Sequence, residues 1–305
     1  MTKQRRIATL VILVLAALLI GISWFENLRE YKAAGLPASR FLDHRIEAGG
    51  EPGESFFLYY AANNDDKRVP IAFENDALPN LHLDPVYLYG DYGRLRLYRA
   101  LASFRPVDED AKPREEPLVV TAMKVYYANG DSAEMPIGEL IVNAGAAVRS
   151  DDTAVLGTSK PAASTEPGGS ASAASSLAEF ASGGASSNGS GYGSFTMNES
   201  ATLRSVTSAY TAVLGDAFRM EISVNGKVSP LPVAVKKGDQ VKIAYAFFVT
   251  ESSKLAMMPL SLRLAAELVD DQGKTQLRPV WAEHAPYPTK TALRQFAKAQ
   301  RSDTP

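Results

Sequence analysis

Between Glu54 and Trp281, apolar side chains recur mainly at every second position, the spacing of a strand with one buried face. Glu54–Ala61 (ESFFLYYA) predicts a strand, and Pro85–Tyr98 predicts strand, Gly-Asp-Tyr-Gly turn, strand. In Leu118–Tyr127, Val119, Met123, Val125 and Tyr127 fall on one face. Asn129-Gly130 comes next, a pair that tolerates the positive φ of a two-residue hairpin turn. Ala133–Val142 is the returning partner, with Pro136 and Gly138 marking a bulge or an edge.

The same alternation resumes near the other end. Phe218, Met220, Ile222 and Val224 point one way before a second Asn-Gly pair at Asn225-Gly226. Leu231–Val235 predicts a short strand. Val241, Ile243, Tyr245, Phe247 and Val249 line a long one. Leu260, Leu262 and Leu264 lead to a turn at Asp270–Gly273, with Gln276–Trp281 pairing back. Helical periodicity is confined to a turn or two within Ser208–Ala217 and to a basic tail, Thr289–Arg301, capped by Thr289 or Thr291.

One segment breaks the pattern. Ile7–Phe25 holds 19 residues without a charge. As a helix it rises roughly 28 Å, close to the ~30 Å hydrocarbon thickness of a bilayer. Lys3, Arg5 and Arg6 precede it, which places residues 1–6 in the cytoplasm and the rest of the chain outside. Trp24 and Phe25 suit the far interface. The alternative is a signal peptide cleaved near Ser23, after the small residue Gly21. Both readings export residues 36–305. Residues 26–53 are read as a juxtamembrane segment.

Composition narrows the function classes. Lys plus Arg is 32 and Asp plus Glu is 34, a net charge of −2, so no basic surplus points to nucleic acid. The chain has no cysteine, which removes disulfides, thiolate metal sites and thiol nucleophiles together.

Many short strands between regular turns predict a mainly β chain: a single N-terminal transmembrane helix followed by an extracytoplasmic antiparallel β-sandwich over 54–288, then a tail at 289–305. The stretch VKKGDQVKIAY (Val235–Tyr245) resembles the strand–Gly-Asp–strand hairpin of immunoglobulin-like modules in bacterial envelope proteins. That resemblance implies a fold shared by spacers, adhesins and carbohydrate binders rather than one role. Within 54–288, the Ser/Ala/Gly-rich run at 158–194 reads as a long disordered loop thrown out of one sandwich, with an interdomain linker as the alternative.

Catalytic motifs are few. Gly273-Lys274-Thr275 ends like a phosphate loop, but Leu268 stands where the first glycine is required, so it reads as a turn. His44, His82 and His284 are far apart. The acidic pairs Asp65-Asp66, Asp151-Asp152 and Asp270-Asp271, and the trio Asp108–Asp110, lack the alternating ligand spacing of a calcium loop. No cofactor and no metal is expected. Aromatics are the remaining signal: Tyr87 and Tyr89 share a strand face and Tyr92 sits in the adjoining turn, an arrangement able to stack on sugar rings or anchor a partner. The sequence therefore predicts a non-enzymatic binding or scaffolding protein of the cell envelope. It would hold the bilayer through residues 7–25 and take an envelope protein or a cell-wall polymer as partner. An anchored hydrolase and a subunit of a membrane complex are the alternatives.

Overall fold

The computed structural model describes residues 3–33, 35–106, 116–143, 176–186 and 189–302. Among the described residues the chain is mainly β, with three sheets and one N-terminal apolar helix. That helix, α1 (Lys3–Ala33), is followed by β1 (Arg40–Phe41), β2 (His44–Ala48), β3 (Ser55–Asn63), β4 (Pro70–Glu74), β5 (Leu81–Leu83), β6 (Tyr87–Asp91), β7 (Leu95–Phe104), β8 (Leu118–Tyr127) and β9 (Ser132–Val142). The second half holds β10 (Ala178–Ala185), β11 (Ser190–Met197), β12 (Ala201–Thr207), α2 (Thr211–Leu214), β13 (Phe218–Val224), β14 (Lys227–Val228), β15 (Val233–Val235), β16 (Gln240–Phe247), β17 (Leu260–Asp270), β18 (Thr275–His284) and α3 (Lys290–Ser302).

The first sheet runs β1-β3-β7-β5, with β6 also paired to β7. The third runs β10-β11-β16-β13-β14. Between them lies one sheet of eight strands, β15-β12-β17-β2-β9-β8-β4 with β18 on β17, built from both halves of the chain. One core fills the space between the first sheet and the β2-β9-β8-β4 end of the large sheet: Phe41, Leu58, Tyr60 and Ala100 meet Met123, Val125, Ile137 and Leu140. The Tyr60 and Tyr127 hydroxyls, 2.9 Å apart, join the two sheets across it. A second core, drawn from residues 177–282, fills the other half between the third sheet and β12-β17-β18.

The seam is β2. It pairs with β9 over His44–Ala48 and with β17 at Arg45 and Ile46, parallel to both. The other pairings among the described residues are antiparallel, so only the two made by β2 depart from the antiparallel expectation. The parallel pairing results from chain direction, because β2 enters the sheet running the same way as β9 and β17. Side chains close the seam. Buried Glu47 accepts from Ser208 Oγ (2.6 Å), the Ala209 N–H (3.1 Å) and Asn143. Arg263 pairs with Glu51 at 2.9 Å, and the Tyr210 hydroxyl donates to Glu139. Segment 26–53, read as juxtamembrane, thus supplies the end of α1 and two strands, one of them central.

Two further expectations change. In β8, Val119 faces solvent and Val120 the core, because a bulge between Val120 and Ala122 reverses the side-chain parity. Of the run 158–194, residues 158–175 lie outside the described residues, but 178–185 and 190–194 are strand rather than loop. In 190–194 the small residues serve close packing. A Cβ on Gly193 would stand 2.7 Å from a Val280 methyl, and one on Gly191 would stand 2.5 Å from the Tyr245 ring. Leu177, at the start of that hairpin, is buried in the second core.

Candidate binding face

His44 explains how the first sheet meets the seam. It is fully buried; its Nε2 accepts the Tyr59 N–H (2.8 Å), so Nδ1 carries the proton and donates to the carbonyls of Leu42 (2.8 Å) and Ile137 (3.0 Å). Burial depresses its pKa to about 4 against those hydrogen bonds, so the ring is neutral and structural. β9 can come this close only because Gly138, at φ +91°, has no side chain; a Cβ there would sit 2.6 Å from the His44 amide nitrogen.

By holding Tyr59, His44 also fixes one side of an aromatic face. Along β7, Tyr98, Ala100, Ala102 and Phe104 point into the first core. Leu95, Leu97 and Arg99 therefore point outward. The Leu95–Leu97 end is covered: with Leu42, Tyr59 and Ala61 it packs against Ala292, Leu293 and Ala297 of α3 and against Ala256 and Met257. The Arg99 end is open. Arg99 lies directly across from Tyr59 on one neighbour and Tyr87 on the other. Its guanidinium carbon is 4.5 Å from the Phe57 ring centroid, 4.6 Å from Tyr89 and 5.0 Å from Tyr87. Tyr59 packs edge-on to Tyr89 at 5.5 Å.

The charge at this site is framed rather than neutralised. Arg99 makes no salt bridge among the described residues, and its buried Nε has no hydrogen-bond partner. Burial works against its charge, but the neighbouring Tyr59 and Tyr87 hydroxyls hold its pKa above the ordinary arginine value. Burial pushes the Tyr59 hydroxyl up to about 12, so it stays protonated. Tyr87 is 42% exposed and Tyr92 is 37% exposed. Tyr92 folds over Gly90, where a Cβ would meet its ring. The face thus offers ring surfaces for stacking and a cation for an anionic group.

The structure brings Tyr87 and Tyr89 together around Arg99 and leaves Tyr92 at the margin. Arg99 itself escaped the sequence reading: it is one of two arginines in β7, both of which look like outward residues, and only its cross-strand tyrosines give it a setting. The anchor residues Lys3, Arg5 and Arg6 lie at the start of α1, and Trp24 and Phe25 are exposed further along it. The remaining histidines are dispersed. His82 meets Asp84 at 3.4 Å on the surface, and His284 packs on Phe247. Asp65 and Asp66 are engaged by Arg94 and Arg68, and Asp270 accepts turn N–H groups. Asp108–Asp110 and Asp151-Asp152 lie outside the described residues. A separate open cleft of about 540 Å3 is lined by Arg40, Asp43, Thr121, Glu134, Met135 and Gln300 and contains no histidine.

No protein-family model matches the chain, and no curated protein matches it. Among solved structures, a protein of unknown function from Porphyromonas gingivalis W83 is similar at 14% identity, covering 82% of this chain and 97% of that one with a TM-score of 0.23.

Proposed function

We propose that this is a single-pass membrane protein whose two β-sandwiches, fused along one sheet, present a non-enzymatic binding face outside the cell membrane of a bacterium. Its N-terminus is cytoplasmic. Its partner is an anionic cell-wall polymer, taken by the face formed by Arg99, Tyr87 and Tyr89. The observation that carries the binding role is a charged guanidinium framed by aromatic rings and held in no salt bridge among the described residues. A sugar ring stacked on Tyr87, with its acidic group on Arg99, would supply the missing counter-charge.

Anchoring is supported by α1. Its Val11–Arg29 stretch is long and apolar enough to cross a bilayer, and none of it is buried in the protein. The binding test is retention of the full chain, held in lipid nanodiscs, on an acidic wall glycan and on its neutral, carboxyl-reduced form. Binding to the acidic form alone, lost in Arg99→Ala, is expected. Equal binding of both forms, or full binding by Arg99→Ala, would refute the reading. Orientation is read by single cysteines placed in this cysteine-free chain. A thiol at Ser302 should react with an impermeant reagent in intact cells, and one at Thr2 should not.

A further inference from the structure

We infer that α3 is a second membrane contact, a basic amphipathic helix that lies against anionic lipid headgroups where α1 leaves the bilayer. The inference rests on the reading of α1 as a membrane span. Along α3 (KTALRQFAKAQRS), Lys290, Arg294, Lys298 and Arg301 are all exposed, and the helix contains no acidic residue. At 3.6 residues per turn these four cations fall within an arc of about 80°. Ala292, Leu293 and Ala297 are buried on another side against Leu95, Leu97 and Met257. One face therefore docks α3 on the body while another presents a continuous row of positive charge.

The position of that row sets its partner. The Arg301 guanidinium donates to the carbonyls of Lys32 (2.9 Å) and Gly35 (2.6 Å), capping the end of α1. Arg94, from the first sheet, lies 5.0 Å from the Tyr31 ring centroid on the same turn. These contacts join α3 and the body to α1 at one level. Lys32 stands seven residues past Phe25, about 10 Å along a helix. The headgroup layer occupies about 5–7 Å beyond the hydrocarbon. The last turns of α3 thus lie at the outer edge of the headgroups, within a Debye length of about 8 Å at physiological salt. The cations of that last stretch, Lys298 and Arg301, complement an anionic leaflet at that height. A neutral leaflet offers them nothing.

The test uses the full chain with a donor dye on Thr291→Cys, beside the basic face. The chain is reconstituted in vesicles carrying an acceptor on a trace lipid headgroup. Flotation with neutral phosphatidylcholine vesicles reports α1 alone, and failure to float with any vesicle would overturn the spanning reading and this inference with it. In floating protein, energy transfer is expected to be at least about twofold higher when phosphatidylglycerol is included. That gain should vanish at ~1 M salt, where the Debye length is about 3 Å. It should vanish also in Lys290→Glu/Arg294→Glu/Lys298→Glu. Equal transfer in neutral and anionic vesicles, or a gain that survives high salt, would overturn the inference while leaving the anchor intact. The salt arm needs no charge-reversal variant, so a folding defect in that variant cannot mask the result.

Discussion

His44 offers the sharpest test of how the body is held together. Replacing it with alanine strands the Tyr59 N–H and takes the ring's hydrogen bond from the Ile137 carbonyl, while the Leu42 carbonyl keeps the backbone N–H of residue 44, and it leaves a void at the seam. An unpaired buried donor costs about 1–3 kcal/mol, and the void adds to it, so a loss of about 4 kcal/mol is expected. The same site predicts a pH dependence. The folded pKa of about 4 lies below the ordinary 6.5, so the folded protein favours the neutral ring. His44 therefore contributes stability that is fully present above pH 6.5 and is lost as pH falls toward 4. At about 1.4 kcal/mol per pH unit the loss is about 3 kcal/mol.

Glu54 works in the opposite sense. Burial raises its carboxyl from 4.5 to about 7 despite hydrogen bonds from the Gly49 and Glu51 N–H groups. Its contribution is present below pH 4.5 and fades as pH rises to 7, which partly cancels the His44 slope between pH 4.5 and 6.5. The comparison is therefore made in a Glu54→Gln background. Urea unfolding, followed by tryptophan fluorescence in mild detergent, should show a fall in stability from pH 6.5 to 4 that is about 3 kcal/mol smaller in Glu54→Gln/His44→Ala than in Glu54→Gln alone; buried His284, which is also depressed, and buried Glu283, which is raised, act alike in both. Equal slopes would refute the reasoning. Should the double variant not fold, imidazole nitrogen shifts in the native chain decide directly. Of its three histidines, one should remain neutral and Nδ1-protonated down to about pH 4.

Other outcomes rest on the same contacts. Gly138→Ala should cost about 3 kcal/mol in the same unfolding assay, since it combines a left-handed backbone with a collision against His44. Tyr87→Ala should leave the unfolding midpoint nearly unchanged, because Tyr87 is 42% exposed, yet lower retention on the acidic glycan at least tenfold. Cleavage at a protease site inserted at residue 165 should leave the two fragments associated on gel filtration, and Glu47→Ala together with Arg263→Ala should lower the urea concentration at which they separate, while the buried contacts of α3 with Leu95 and Leu97 remain. Gly193→Val should destabilise by about 2 kcal/mol or more by driving β11 off Val280, whereas flexible chain would accept it silently.

The strands that alternate were legible in the sequence: Phe218–Val224 and Gln240–Phe247 stand where their apolar positions put them, and the β8–β9 turn falls at its Asn-Gly pair, although the bulge after Val120 turns Val119 outward. β2 was not. Its sequence, HRIEA, mixes a histidine, an arginine and a glutamate; the histidine and the glutamate are explained only by the distant partners Tyr59 and Ser208, while Arg45 pairs with Asp43 two residues away. β10 and β11 were hidden for the opposite reason. Their glycines and serines carry the composition of a linker, and in β11 only Val280 and Tyr245 reveal why nothing larger fits. At the binding face, Tyr87 and Tyr89 were visible as neighbours on one strand, but the cation between the rings depends on the pairing of β3, β7 and β6, which no local pattern encodes.

The placement of β2 has a mechanical consequence. It is the strand nearest to α1 in the large sheet, so tension between a bilayer and a wall-bound body would travel from α1 through residues 35–43 into it. Pulled toward its N-terminus, β2 slides along β9 and β17, its parallel neighbours, and their hydrogen bonds are loaded side by side in shear rather than opened one at a time. Arg301 and Tyr31 divert part of that load into α3 and the first sheet. Under the proposed anchor and wall partner, the strand that joins both halves of the protein would also be its force-bearing clasp.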